Sequence, residues 1–266
     1  MPVTIQSSII FESDTPADVM LQFEAAELPE QHLSDLSTLV TKGTDFVRIP
    51  AHDDIGERAW LHCNGQVQID YSASVEVIRE TDDLDDLYAL PHNQMPGETV
   101  QYLLDSRYCH GQEFQSLVAS EFAGTEGGAR IAAILAWIGN QFEYAPGSSD
   151  PNTDATRSFI QRQGICRDFA HVLIAMARAS AIPARYVACY APGVTPQDFH
   201  AVAEVFLANP RIPGGGIWQM VDPTGMANPT ETVKIGVGRD AADVSFLTSF
   251  APIQFIGSNV EVSRND

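Results

Sequence analysis

The spacing of apolar residues divides the chain into regions of different secondary structure. From Val3 to about Ile78, apolar and polar residues alternate with a period close to two, most clearly over residues 66–77. Because successive side chains of a strand point to opposite faces, this alternation predicts half-buried β-strands. Glycine or proline interrupts the pattern at four places, Gly43, Pro50, Gly56 and Gly65. We therefore expect several short strands that form a β-sandwich-like domain or another small β-domain.

The segment with the most linker-like composition follows this region. An acidic run occupies residues 80–86, and a stretch rich in proline, glycine and amides occupies residues 91–97. The acidic run lacks the glycine turn and the terminal glutamate of a calcium-binding loop, which favours a solvated loop. We predict an N-terminal domain over residues 1–95 and a second domain over residues 96–266.

In the second domain the spacing first becomes helical and then returns to a period of two. One helix face has apolar residues at the i, i+3, i+4 spacing, at Ile131, Ile134, Leu135, Ile138 and Phe142. A shorter helix is predicted from Thr153, as its N-cap, to Gln161, and another begins after Gly164. The later alternating segments are residues 185–190, 200–207 and 217–222. Helices followed by strands predict an α+β domain in which helices pack on one face of an antiparallel sheet.

Composition excludes some classes of function. The net charge is −20, with 15 Lys and Arg against 35 Asp and Glu. This balance argues against nucleic-acid binding, because phosphates are neutralised by clustered cations. No apolar run approaches the roughly 18 to 20 residues of a membrane-spanning helix, and the N-terminus lacks the features of a secretory signal. We expect no membrane association and a cytoplasmic location, while the oligomeric state stays open.

The position of Cys166 gives the first indication of chemistry. The four cysteines are spread out without a Cys-x-x-Cys pair, which disfavours a zinc site; they are Cys63, Cys109, Cys166 and Cys189. Cys166 alone begins an apolar-striped helix, where unpaired N–H groups stabilise an ionised thiol. His171 follows five residues later and is rotated by about 140° around the helix, so it is predicted to be structural. A catalytic cysteine is the interpretation that this position favours.

A catalytic thiol needs a base and a group that orients the base. His200 opens one of the predicted strands, and Asp222 ends the next. If Leu207 pairs with Ile217, Val202 faces Asp222 and His200 is the diagonal neighbour of Asp222 on the same face, within reach of its carboxylate. A slip of one residue would put the two side chains on opposite faces. Asp222 also has a purely structural interpretation, as a cap of the Pro-Thr-Gly turn that follows it.

Four blocks of sequence together resemble the core of the bacterial transglutaminase-like superfamily, a group of proposed cysteine proteases. They are residues 164–171, 182–187, 198–201 and 221–224. The resemblance covers approximately residues 100 to 230 and implies a papain-like fold. It also implies a Cys-His-Asp triad, which corresponds to Cys166, His200 and Asp222. A β-rich N-terminal region is similar in kind to the extra domain of many family members.

Groups that would assist the triad are less clearly marked. Many family members have tryptophan where this chain has Val202, and the oxyanion-stabilising tryptophan of animal transglutaminases has no counterpart that we can place. The backbone N–H of Cys166 is one oxyanion donor, and Tyr144 and Gln163 are candidates for another. A further block that resembles the family contains Arg239, which either contacts substrate or forms a salt-bridged turn.

These features predict a cysteine-dependent acyl-transfer enzyme. The favoured reaction is cleavage of a carboxamide in a peptide or protein through a thioester, as in a peptidase or amidase, without cofactor or metal. One alternative is a transglutaminase, in which an amine resolves the thioester. Another is a binding or scaffold protein that retains the fold without turnover.

Overall fold

The computed structural model describes residues 2–209, 211–212 and 215–264. In chain order the strands are β1 (Val3–Leu21), β2 (Gln31–Pro50), β3 (Glu57–Val77), β4 (Glu143–Tyr144), β5 (Gln163–Gly164), β6 (Ala184–Tyr190), β7 (His200–Ala208), β8 (Gly216–Val221), β9 (Val233–Gly238), β10 (Leu247–Ser249) and β11 (Gln254–Arg264). The helices are α1 (Gln115–Glu121), α2 (Gly127–Gln141), α3 (Ala155–Gln161) and α4 (Cys166–Ala179). Within these residues the chain forms an α+β fold, as the apolar spacing predicts.

The N-terminal sheet is antiparallel and is built on long strands. Its order is β10-β1-β3-β2, and β11 pairs with another part of β1. The predicted short strands are wrong, because bulges keep the strands paired where glycine interrupts the alternation. Register shifts occur at Thr41/Gly43 between β2 and β3 and at Ser13/Ala17 between β1 and β3. The described strands of this region belong to one sheet, which agrees with the predicted strand-rich N-terminal region.

The end of the chain returns to this N-terminal sheet. Strand β11 pairs with β1 from Val3↔Arg264 to Glu12↔Gln254, and β10 pairs with β1 around Val19↔Ser249. The predicted second domain, 96–266, therefore contains strands whose hydrogen bonds belong to the N-terminal sheet. Local sequence patterns do not reveal this pairing, because it joins opposite ends of the chain.

The second sheet has the order β8-β7-β6-β9, with antiparallel neighbours throughout. Helix α4 packs on β6 and β7, and its apolar residues share a core with α2 and α3. The first three strands of this sheet match the predicted segments within one residue at most ends. Strand β9 has no counterpart among the predicted strands.

The start of α3 depends on contacts between side chains and the neighbouring backbone. Helix α3 is capped by Asp154, whose carboxylate accepts a hydrogen bond from the N–H of Arg157 at 2.7 Å. Thr153 is therefore not the N-cap; its hydroxyl instead accepts from the N–H of Asp150 at 3.0 Å. Aspartate and threonine both favour caps, so the local sequence does not distinguish these neighbours.

A buried ion cluster joins three strands of the second sheet. Glu204 on β7 contacts Arg185 on β6 at 2.7 Å and Lys234 on β9 at 2.5 Å. Burial by itself would raise the pKa of Glu204, but the two cations lower it to about 2. Glu204 is therefore ionised and paired with both neighbours.

Contacts of Tyr190 connect the two sheets. Its hydroxyl donates to the carbonyl oxygen of Phe23 at 2.7 Å and lies 3.1 Å from the hydroxyl of Ser7. Tyr190 is fully buried in the core of the N-terminal sheet, although it belongs to β6.

In the described part of the chain, none of the helices has the length and apolarity needed to cross a membrane.

Candidate active site

Cys166 occupies the first turn of α4. The preceding N–H, of Ile165, donates to the Asp168 carboxylate at 2.9 Å, and the Ser149 hydroxyl donates to the other oxygen at 2.8 Å. These bonds hold the start of the helix. The Cys166 side chain is nearly buried, but it lines a cleft of about 720 Å³. The thiol thus lies at the positive end of a helix and faces a space that can hold a ligand.

His200 lies between Asp222 and Cys166. Strands β7 and β8 pair Leu207 with Ile217, and continuing this register puts Val202 opposite Asp222. The Nε2 of His200 is 3.1 Å from Oδ2 of Asp222. Because a carboxylate only accepts hydrogen bonds, Nε2 carries the proton and Nδ1 is left to interact with another group. The buried Nδ1 has no hydrogen-bond partner within 3.5 Å among the described residues.

The charges of this pair support each other. Burial by itself would lower the pKa of His200, but the hydrogen bond with Asp222 and the nearby Cys166 side chain raise it to about 9. Burial would raise the pKa of Asp222, but the hydrogen bond from His200 and the nearby N–H groups hold it below its usual value. The site therefore favours an imidazolium next to a carboxylate.

The turn after β8 fixes the orientation of Asp222. Its carboxylate accepts hydrogen bonds from the N–H of Thr224 at 2.8 Å and the N–H of Ala227 at 2.7 Å. The Thr224 hydroxyl also donates to both carboxylate oxygens. Asp222 therefore caps its turn and binds His200 at the same time. Thr224 is an orienting residue that the sequence reasoning missed, although an Asp-x-Thr turn is a recognisable signal for it.

His171 lies outside this arrangement. Its ring is fully buried and stacks on Tyr108, with ring centroids 5.1 Å apart. Burial, followed by the charges of Arg167 and Arg178, lowers the pKa of His171 well below its usual value. Its Nε2 accepts a hydrogen bond from the N–H of Ala241 at 3.2 Å. A neutral imidazole with these contacts has the structural role that the helix rotation predicts.

Comparison with known proteins agrees with the fold. The family model of the transglutaminase-like superfamily matches residues 115–223, which include Cys166, His200 and Asp222. The crystal structure of a proposed cysteine protease from Cytophaga hutchinsonii has 31% sequence identity and a TM-score of 0.91. The match covers 100% of this chain and 91% of that one. This chain belongs to the transglutaminase-like superfamily.

Two uncharacterized mycobacterial proteins match a smaller part of the chain. An uncharacterized protein of Mycobacterium leprae is 30% identical over 121 residues, and one of Mycobacterium tuberculosis is 32% identical over 136 residues. These matches cover 44% and 47% of this chain and 42% and 43% of the relatives. The chain thus matches less than half the length of these curated relatives. Together with the Cytophaga structure, the family supports a cysteine-dependent enzyme in general terms.

Tyr144, which the sequence analysis marks as a possible oxyanion donor, lines the cleft. Strand β4 pairs with β5, Tyr144 opposite Gly164, and this pairing carries the phenol to Cys166. Burial, followed by the electrostatic effect of Cys166, raises the pKa of Tyr144 to about 12. A hydrogen bond from the backbone N–H of Cys166 partly offsets this rise. The phenol therefore stays protonated beside Cys166.

Gln163 and Arg239, the other two candidates for oxyanion stabilisation or substrate binding, do not line the cleft. Gln163 lies on β5 opposite Glu143, outside the described residues that border the cleft. Arg239 binds Asp243 through Nε at 2.9 Å and Nη2 at 3.1 Å. Arg239 also lies outside the cleft lining. Of the two roles considered for it, the structure therefore favours the salt-bridged turn over contact with substrate.

The remaining cleft surface comes largely from residues that sequence reasoning did not select. Phe199 precedes His200, and its carbonyl oxygen is 4.0 Å from Sγ of Cys166. Phe246 and Phe255 line the same cleft from the end of the chain. The only sequence signal for Phe199 is its position next to His200, and Phe246 and Phe255 reach the site through sheet pairing.

Proposed function

We propose that this protein is a cysteine-dependent acyl-transfer enzyme that hydrolyses a carboxamide bond in a peptide or protein. The observation that carries the proposal is the position of His200. One ring nitrogen is bound by Asp222 at 3.1 Å, the other is buried without a hydrogen-bond partner within 3.5 Å, and Cys166 contributes to the raised pKa of the ring. A base held in this way can take up and return a proton at the thiol.

In the first half of the reaction, the proton of the Cys166 thiol moves to Nδ1 of His200. The thiolate attacks the carbonyl carbon of the substrate, and the carbonyl π electrons move to the oxygen. As the tetrahedral intermediate collapses, the carbon–nitrogen bond breaks, and the His200 imidazolium gives its proton to the leaving nitrogen. An amine leaves, and the acyl group stays on Cys166 as a thioester.

The first turn of α4 supplies stabilisation for the oxyanion. The backbone N–H of Cys166 points towards the helix N-terminus, where positive partial charge collects. The phenol of Tyr144, which stays protonated, is the second donor that we assign to this oxyanion. Loss of one such donor typically costs about 10²- to 10³-fold in kcat.

In the second half, His200 takes a proton from water, and the resulting hydroxide attacks the thioester. Collapse of this intermediate breaks the carbon–sulfur bond, releases a carboxylic acid and returns the proton to Cys166. Asp222 stays ionised throughout and stabilises the imidazolium that forms in each half.

The test labels the folded protein with iodoacetamide at neutral pH and locates the adduct by mass spectrometry. We expect one labelled cysteine, Cys166, because Cys63, Cys109 and Cys189 are buried and do not line the cleft. Cys166→Ala removes the labelling, and the control Cys63→Ala retains it. Labelling that persists unchanged in Cys166→Ala, or folded protein that does not react, contradicts the proposal.

Turnover is measured on a set of peptide amides with and without a primary amine, and the products are identified by mass. Hydrolysis yields the free acid in both conditions and gives no product in Cys166→Ala or His200→Ala. Formation of an amine adduct in preference to the acid would assign the transglutaminase reaction instead. Labelling without either product would favour the scaffold protein.

We also propose a cytoplasmic location. All four cysteines are free thiols, and a reducing compartment keeps them so. Fractionation of cells that express the full-length natural protein, with markers for each compartment, tests this assignment. Recovery outside the cytoplasm contradicts it.

A further inference from the structure

Three phenylalanines border the cleft on the side of the N-terminal sheet. We call Phe199, Phe246 and Phe255 the aromatic wall. The rings of Phe199 and Phe246 are stacked, with centroids 5.0 Å apart and an angle of 4° between their planes. The ring of Phe255 lies 5.7 Å from that of Phe246 and is tilted against it. The wall begins at Phe199, next to His200, and ends at the exposed ring of Phe255.

The outer part of the wall is exposed although it is apolar. Phe255 is 45% exposed and lines the cleft, whereas most large apolar side chains of the described residues are buried in the cores. An exposed aromatic surface inside a concave site is stabilised when an apolar group covers it. The site thus has a surface that is ready to receive such a group.

The charge distribution also favours an apolar occupant. All residues between 235 and 258 that line the cleft are uncharged. They are Ile235, Ala241, Ala242, Val244, Ser245, Phe246, Leu247, Thr248, Phe255 and Ser258. Apart from the His200 ring, the charged residues of the cleft are Arg107, Arg167 and Asp198, which come from other segments. In a chain with a net charge of −20, a neutral wall favours a large apolar side chain over a charged one.

Main-chain bonds to the N-terminal sheet hold the wall in place. The carbonyl oxygen of Phe246 accepts a hydrogen bond from the N–H of Gln22 at 3.1 Å, just after β1 ends. Phe255 pairs with Phe11 in the ladder between β11 and β1. The N-terminal sheet therefore fixes two of the three rings relative to Cys166.

We propose that the aromatic wall is the subsite for a large apolar side chain of the acyl donor, either aromatic or branched aliphatic. The proposal rests on the proposed acyl-transfer function and adds the substrate class to it. In this arrangement the N-terminal sheet contributes a wall of the substrate site, which gives that region a role in specificity.

The test compares two thiol-directed probes that differ only in one side chain. N-acetyl-phenylalanyl and N-acetyl-glycyl chloromethyl ketones both alkylate a thiolate with loss of chloride. The second-order rate constant for labelling Cys166 is measured for each by intact mass. We expect the phenylalanyl probe to react at least about tenfold faster with the wild-type protein, as is typical for an apolar pocket.

Variants of the exposed ring then locate the preference. Phe255→Ala should lower the ratio of the two rate constants several-fold, and Phe255→Leu should retain most of it. The matched control is Phe250→Ala, because Phe250 is 68% exposed, belongs to the same segment and packs on Trp60 outside the cleft. Its ratio should equal that of the wild type. Circular dichroism and thermal unfolding verify that each variant is folded.

The two proposals fail in distinguishable ways. If iodoacetamide labels Cys166 but the ratio is near one, or Phe255→Ala leaves it unchanged, the aromatic subsite is wrong, and the acyl-transfer function is decided by the turnover measurement alone. If folded protein does not react with iodoacetamide, the proposed function is wrong, and the subsite assignment falls with it.

Discussion

Leu207 pairs with Ile217 across the β7–β8 ladder, and this register brings Asp222 to His200. The side chains of a strand alternate between its two faces, so a shift of one residue would move Asp222 to the opposite face. The observed pairing instead gives an Nε2 to Oδ2 distance of 3.1 Å. The proposed catalytic base thus depends on the pairing of two apolar residues at the other end of the ladder.

Asp222→Asn should lower kcat on a peptide amide by about 10²-fold or more, because the amide no longer stabilises the His200 imidazolium. The same change should lower the pKa of His200 from about 9, as measured by NMR titration of the ring. The control Asp18→Asn alters an exposed pair, Asp18 with His62 at 2.7 Å, and should change neither quantity. Full activity of Asp222→Asn would remove Asp222 from the mechanism.

Stability should depend on pH through His200. The pKa of this ring is raised from 6.5 to about 9 on folding, so protonation stabilises the folded state. The contribution, about 3 kcal/mol, is fully present below pH 6.5 and is lost as the pH rises through 9. The free energy of unfolding, measured in urea, should therefore fall more for the wild type than for His200→Gln between pH 6 and pH 10. A difference that does not change with pH contradicts this expectation.

Glu204→Gln should lower the free energy of unfolding by about 1 to 3 kcal/mol, because Arg185 and Lys234 would lose the buried anion that they share and keep only their more exposed partners, Asp53 and Glu30. The pKa of Glu204 is lowered to about 2, so its contribution is present above pH 4.5 and is lost as the pH falls through 2. Urea unfolding at pH 7 measures the loss. Asp243→Asn, which breaks the more exposed pair with Arg239, should cost no more than about 1 kcal/mol, and equal losses would contradict the argument.

Gly164→Ala should disturb the start of α4. A Cβ at this position would lie 2.6 Å from Cβ of Asp168 and 2.9 Å from its Oδ2, and Asp168 is fully buried. The carboxylate would have to move from the N–H of Ile165, so we expect a loss of about 1 to 3 kcal/mol and slower labelling of Cys166.

The matched control for Gly164 is Gly139→Ala in α2, where an added Cβ meets nothing within 4 Å. Because alanine favours the helix, this change should stabilise the protein by about 0.5 to 1 kcal/mol and leave labelling unchanged. Thermal unfolding and the iodoacetamide rate measure both variants. Wild-type behaviour of Gly164→Ala would show that Asp168 is free to move.

The sequence by itself determined the local parts of the site. The helical spacing after Gly164 places Cys166 in a first turn, and the alternation in residues 200–207 and 217–222 predicts which side chains share a face of each strand. These features repeat every few residues along one segment, so they can be predicted from that segment alone. The same reasoning excludes His171, since its rotation around the helix depends only on its distance from Cys166.

Only the tertiary structure decided which distant segments complete the cleft. The pairing of β10 and β11 with β1 brings Phe246 and Phe255 to Cys166, and the parallel β4–β5 pair brings Tyr144 there. Arg239 shows the converse, because its partner Asp243 keeps it in a turn away from the cleft. The spacing of apolar residues specifies which face of a strand is buried, but the edge on which a remote strand pairs depends on the packing of the whole chain.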